Sequence, residues 1–241
     1  MRPDATQGKG ARRIGIVVAL PAEARTLDAL DTSTFDIVVT GPGPARAAAG
    51  AATLVARGAV ALLSWGTSGA LRADLRAGQL VLGAGVRDED GCRYPSDEDW
   101  LRRVEALLAD LRPARAGCAT SAQPVGSVEA KHQLARASSC GAVDMEAAAV
   151  ASAAAKHALP FLAIRSIVDP VDCELPSCVL ASLAPSGKPR LAALLYGLLR
   201  RPWELGGLLR LALHFNAALR TLRQAARLMS KADQAVTVMN R

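Results

Sequence analysis

A chain of 241 residues holds one sizeable domain, or a domain with an appendage. Apolar residues make up 51% and charged residues 21%, which excludes global disorder and leaves enough material for a core. The net charge of +7 raises the question of nucleic acid, yet no basic cluster is interleaved with the scarce aromatics, so an anionic ligand or a negatively charged membrane surface is the expected partner instead.

Five cysteines (Cys92, Cys118, Cys140, Cys173 and Cys178) form no C-x-x-C pair and are odd in number. Neither a disulfide framework nor a zinc site is expected, and the reading is reduced thiols in a cytoplasmic protein. The N-terminal "MRPDATQGKGARR" is polar, and no stretch of about 20 uncharged apolar residues exists to span a membrane.

"RIGIVVAL", residues 13 to 20, is a short β-branched run that suits a buried strand, and Pro21 then opens a helix, "PAEARTLDAL". "FDIVVT" (35 to 40) is a second strand, stopped by "GPGP", and 45 to 58 is a helix ended by Gly58. "AVALLSW" (59 to 65) is a third strand closed by "GTSGAL", and "GQLVLGAGV" (78 to 86) is a fourth. Residues 97 to 112 carry Trp100, Val104, Leu107, Leu108 and Leu111 at helical spacing. "CGAVDM" is a short strand running into a helix over 145 to 157, and "PFLAIRSIVD" (160 to 169) is the last strand. Strands alternating with helices predict an α/β domain around a mostly parallel sheet. Near residue 173 the composition changes to a proline-bearing loop, followed by two helical segments broken near Pro202.

Each strand ends at something polar or glycine-rich: Glu23; Gly41 and Gly43; Gly66, Thr67, Ser68 and Gly69; Asp144 and Glu146; Asp169. Ligands of open α/β sheets bind outside the carboxyl ends of strands, so these residues are expected to converge. Asp144 and Glu146 open a helix, where unpaired N–H groups favour anions. Glu146 is therefore expected to stay ionised near neutral pH and to accept hydrogen bonds from ligand hydroxyls, whereas Asp144 reads better as a helix cap. "GPGPAR" fails as a dinucleotide loop because Arg46 stands where the third glycine belongs. Its glycine N–H groups, with Arg46, suit an anion or a ribose.

Four motifs, in order over residues 13 to 172, resemble the nucleoside phosphorylase and nucleosidase superfamily: "IGIVVALPAEA", "SWGTSGAL", "AVDMEAAAVA" and "RSIVDPVD". The resemblance implies a phosphorylase/hydrolase-like three-layer fold with a central mixed, mostly parallel sheet flanked by helices. It implies a homo-oligomer that cleaves N-glycosidic bonds without a cofactor or metal, with phosphate as the one optional co-substrate. It implies Glu146 as the acid on the ribose hydroxyls, Met145 as the residue packing on the ribose, and Thr67 and Gly66 in the glycine loop, with Gly41 and Arg46 completing the substrate site. Asp169 is implied to donate a proton to the purine and Glu23 to activate water; with phosphate as nucleophile, Arg25 or Arg46 would hold it. The chain departs from the family pattern at Trp65, Ala70, Val168 and Pro170.

From Leu208, apolar residues recur at Leu211, Phe215, Leu219, Leu222, Ala226 and Met229, with Arg220, Arg223 and Arg227 beside the stripe. Such a basic amphipathic helix suits a membrane surface, or else docks on its own domain or a second subunit. "VVALPAEAR", "VDMEAAAVA" and the "DP-x-D" turn with its following "LP" resemble the hopanoid-associated phosphorylases of bacteria. That narrower resemblance implies adenine release from adenosylhopane, a lipid-linked nucleoside, by a cytoplasmic enzyme in peripheral contact with the inner membrane. Trp203 and Phe215 are the residues expected to meet the lipid, in an extension that also carries Tyr196. The expected organisation is an α/β domain over 13–188 and a helical C-terminal extension over 189–231. The alternatives are a soluble methylthioadenosine/S-adenosylhomocysteine nucleosidase and a non-catalytic nucleoside- or lipid-binding protein.

Overall fold

The computed structural model describes residues 13–177, 179 and 201–231. Strand β1 (Ile14–Val18) is buried throughout, as its unbroken apolar run requires. It lies parallel between β2 (Phe35–Val39) and β3 (Ala61–Ala70). Beyond β3 the sheet closes on itself. β3 pairs with β8 (Phe161–Asp169), β8 with β4 (Leu80–Arg87), β4 with β6 (Ala114–Thr120), β6 with β7 (Ala142–Asp144), and β7 returns to β3. The short β5 (Arg93–Pro95) hangs on β4. The pairings β3–β7, β4–β8 and β4–β5 are antiparallel and the other five are parallel, so the sheet is mixed and mostly parallel, as expected.

Alternation along the strands feeds two separate apolar layers. Ile14, Ile16, Val18, Leu63 and Trp65 face Trp100 and Val104 of α3 (Glu98–Leu107) and Leu222 and Met229 of α6 (Leu205–Lys231). Val17, Leu62, Val81 and Ala163 face Ala47, Ala51 and Leu54 of α2 (Pro44–Ala56) and Val150 and Ala151 of α5 (Ala147–Lys156). With so few aromatics, close approach of Ala-rich helices fills the second layer.

Five elements depart from expectation. The helix after Pro21 is a single turn, α1 (Pro21–Ala24), continued by a 3₁₀ turn over Arg25–Leu27. β3 does not stop at Trp65 but runs on through "GTSGA", because β8 stays paired to it as far as Gly69↔Asp169, with a bulge between Ser68 and Gly69. β5, β6 and α4 (Val128–Ser138) have no counterpart in the sequence reading. The expected helical segment before Pro202 lies outside the described residues, and so do Tyr196 and Cys178.

The C-terminal stripe docks on the chain's own sheet over its second half. Ala218, Leu222, Ala225, Ala226 and Met229 are buried, and the Thr221 hydroxyl donates to the Gly78 carbonyl at 2.7 Å. Arg220, Arg223 and Arg227 are exposed, as the amphipathic pattern requires. Among the described residues no helix is long and apolar enough to cross a membrane.

Candidate active site

Glu23 sits on the single turn α1, just past the carboxyl end of β1, and is 2% exposed. One carboxylate oxygen accepts from the Thr67 amide (2.8 Å) and hydroxyl (2.7 Å), and the other from the Leu20 amide (3.0 Å). Burial raises its pKa, and the Thr67 and Leu20 hydrogen bonds oppose the rise. A general base works best with its pKa raised towards the working pH, and burial moves Glu23 in that direction.

Asp144 ends β7 and is the cap of α5: its carboxylate accepts from the Ala147 amide at 3.2 Å and from the Thr120 hydroxyl at 2.8 Å. The cap reading of Asp144 thus holds, and Arg165 adds to it. That fully buried guanidinium, midway along β8, donates through Nε to Asp144 at 2.7 Å and lies 2.5 Å from it through Nη2, which also donates to the Ser64 hydroxyl at 2.6 Å. Since Asp144 occupies the amides of the helix end, the Glu146 side chain turns away and accepts from the Gly43 amide at 2.8 Å. The expectation that Glu146 is comfortably ionised at neutral pH therefore needs correcting. Burial and the neighbouring Asp144 charge raise its pKa to about 7.

The "GPGP" turn explains its glycines. Gly41 and Gly43 have φ of +81° and +108°, where a side chain would be strained. The Gly41 amide donates to the Ala19 carbonyl at 3.0 Å, so Gly41 shapes the turn and has no N–H left for an anion. The Arg46 side chain folds against Gly41 and makes no ion pair among the described residues. Arg25 is exposed, and Met145 is half-buried between Asp144 and Glu146.

Asp169, at the end of β8, meets Lys131 of α4 at 2.7 Å. Burial raises its pKa, while the Lys131 ammonium and His214 of α6 pull it down. Asp169 and Glu23 both crowd β3: a Cβ on Gly69 would lie 3.0 Å from the Asp169 carboxylate, and one on Gly66 the same distance from Glu23. Those glycines lie three residues apart on β3, so the two carboxyl groups flank the same short stretch of that strand. Glu146 follows β7, whose Val143 pairs with Gly69. Around residues 66 to 69 of β3 the fold thus gathers the three acids that the sequence scattered over 147 positions. The Ser68 hydroxyl in the same stretch is buried without a hydrogen-bond partner among the described residues. A surface hollow of about 370 Å³ lined by Tyr94, Ala155 and Phe161 lies at the opposite, amino end of β8 and touches none of these groups.

Comparison with known proteins identifies the family. The phosphorylase superfamily matches residues 30–192. The chain belongs to that superfamily. It is an enzyme of the N-glycosidic bond-cleaving class, phosphorylase or nucleosidase. Among solved structures, futalosine hydrolase of Helicobacter pylori superposes with a TM-score of 0.67 at 17% identity, over 94% of this chain and 97% of that one. A methylthioadenosine/S-adenosylhomocysteine nucleosidase of the same organism gives 0.66 at 16% identity, covering 95% of this chain and 98% of its own. The nucleosidase of Neisseria meningitidis, solved with methylthio-immucillin-A, gives 0.67 at 16% identity, over 92% and 99%. At such identities the likeness concerns the fold. No curated protein sequence matches the chain significantly.

Two buried cations of this superfamily member escaped the sequence reading. Arg165 had a signal, since a charge inside the apolar run "LAIRSIV" demands a buried partner. Lys131 had none, because a lysine in a polar stretch reads as a solvated face. The approach of Gly66 to Glu23 is testable. Gly66→Ala is expected to lower turnover about 10²-fold, the usual cost of displacing a reacting group by about 1 Å. Adenine release measures the loss, and an unchanged circular-dichroism spectrum shows the fold intact; full activity would mean that Glu23 does not act where it is held.

Proposed function

We propose that the chain hydrolyses the N-glycosidic bond of an adenine nucleoside bearing a large apolar group at its 5′ carbon, with adenosylhopane as the substrate, and releases adenine during hopanoid biosynthesis. One observation carries the reaction: three carboxyl groups, each with its pKa raised by burial, gather around residues 66 to 69. Cleavage builds positive charge on the sugar and negative charge on the base. Glu146, once ionised, binds the ribose hydroxyls and faces the developing cation. Glu23 takes the proton of the attacking water, and Asp169 delivers a proton to the leaving base, a contribution of roughly 10²- to 10⁴-fold in rate.

Water is favoured over phosphate because a phosphate dianion would lie among Glu23 and Glu146 with Arg165 already committed to Asp144. Phosphorolysis is the second reading, favoured by Arg46, which has no ion pair among the described residues. The lipid group finds support at the start of α6. Trp203 is 75% exposed, Leu209 58% and Leu213 69%, and Leu205 joins them at the same helical spacing. The packed side of that helix brings His214 towards Asp169 and Gly207 against Pro176, in the loop after Asp169. An apolar strip there suits a polycyclic 5′ group or a membrane surface, with half-buried Phe215 beside it.

Mass spectrometry of the products from adenosylhopane, methylthioadenosine and S-adenosylhomocysteine, with and without phosphate, tests the reading. Adenine and free ribosyl lipid are expected. Preference for the soluble thio-nucleosides would remove the lipid, and a sugar phosphate would replace water as the nucleophile. Release of adenine from none of them would leave a nucleoside- or lipid-binding protein.

A further inference from the structure

Lys131 is a costly residue to bury. It is wholly inaccessible, and among the described residues its ammonium meets three oxygens: Asp169 Oδ2 at 2.7 Å, the Pro170 carbonyl at 2.9 Å and the Cys173 carbonyl at 2.7 Å. A buried ion pair is weak as a stabilising device, since desolvation offsets most of the attraction. The stoichiometry of the contacts suggests another use. An ammonium has three N–H donors, and here each has an acceptor. A neutral amine has two N–H donors and a lone pair. The two backbone carbonyls would keep two N–H groups in place, and the lone pair would face Asp169. The cage therefore accommodates both protonation states without rearrangement, and the hydrogen that distinguishes them is the one aimed at Asp169.

We propose that Lys131 is a positioning residue that supplies, through Asp169, the proton the leaving base receives; this rests on the glycosidic-bond reading above. The bond between C1′ and the base nitrogen breaks, and its electron pair stays on the base. A proton passes from Lys131 Nζ to the Asp169 carboxylate and from Asp169 to the base. Lys131 is left as an amine on its two carbonyls and Asp169 as a carboxylate. The proton released from the attacking water restores the ammonium, so the net change is addition of water across the glycosidic bond. The lysine–aspartate pair carries no net charge either as ammonium and carboxylate or as amine and carboxylic acid. Exchange between those forms inside a low-dielectric site needs no counter-ion. The other ionisable groups nearby are His214 and Arg210 of α6, and Asp172 and Cys173 of the loop.

The test uses two leaving groups. Adenine leaves well only when protonated, whereas 4-nitrophenolate leaves from 4-nitrophenyl riboside without a proton. Lys131→Met is expected to lower kcat/KM for adenosylhopane about 10²- to 10³-fold, within the range of general-acid catalysis. It should leave the nitrophenyl riboside within about fivefold, and Asp169→Asn should show the same split. Equal losses on both substrates would mean that Lys131 only holds the loop in shape, and would overturn the proposal while leaving the glycosidase reading intact. A wild type inactive on every adenine nucleoside would remove both. Should Lys131→Met not fold, the solvent isotope effect of the wild type decides: the relay predicts a larger effect with adenine than with nitrophenolate as leaving group, and equal effects overturn it.

Discussion

Replacing Glu146 by glutamine is expected to lower kcat/KM for the adenine nucleoside about 10³-fold and, above pH 7, to make the protein more stable. The loss follows from the proposed role of Glu146, whose carboxylate would accept hydrogen bonds from two ribose hydroxyls, each such charge-assisted bond being worth roughly 1.5–3 kcal/mol. The gain follows from what the wild type tolerates. Glu146 is buried beside Asp144, and its pKa is raised from 4.5 to about 7. The fold prefers the protonated form, so this group's contribution to stability is fully present below pH 4.5 and is lost as pH rises through 7. Glutamine keeps an acceptor for the Gly43 amide and never ionises. Its advantage is absent at pH 4.5 and grows to about 3 kcal/mol well above pH 7, or about 6–12 °C in Tm. Thermal melts at pH 4.5 and pH 8 measure it. A variant less stable at pH 8 would show that the Glu146 carboxylate is stabilised by its surroundings. On that proposed role, wild-type activity should fall with acidification through about pH 7, because a protonated Glu146 would no longer accept from both hydroxyls.

What could be read from the sequence was what the backbone announces locally. Runs such as "IGIVV" and "PFLAIRSIVD" are apolar enough to be strands wherever they are placed, and Gly41 and Gly43 mark a turn that only glycine makes without strain. Glu23, Glu146 and Asp169 stood out because each follows such a run. β6, "ARAGCAT", carries small and charged residues, and its strand identity comes from pairing with β4 and β7 on both sides. α4, "VEAKHQLARAS", is polar in sequence, although Ser127 caps it through the Ala130 amide. Its significance is tertiary, because the loop after Asp169 folds over Lys131 and pins it through two carbonyls. Which carboxyl group meets a buried cation was equally illegible. Asp144 and Glu146 are two residues apart, yet among the described residues one is matched to a guanidinium and the other accepts from a single amide.

That division makes Arg165 the residue whose loss should cost most in stability. Arg165→Met fits the space of an aliphatic stem but leaves the Asp144 carboxylate, 1% exposed, without its cation. Breaking a buried pair from one side typically costs about 3–5 kcal/mol, here about 10 °C in Tm. Arg165 also lowers the pKa of both Glu23 and Glu146, so its removal should push both higher and move the acid limb of the activity profile to higher pH. The double variant Asp144→Asn/Arg165→Met separates the stranded charge from lost packing. Asparagine can still accept from Thr120 and the helix amides, so Tm should recover by more than half, and the acid limb should move back as well, because the Asp144 charge that raises the Glu146 pKa is removed together with the cation. No recovery would place the cost in the packing of the guanidinium and its bond to Ser64, and would show that Asp144 does not depend on Arg165 for its charge.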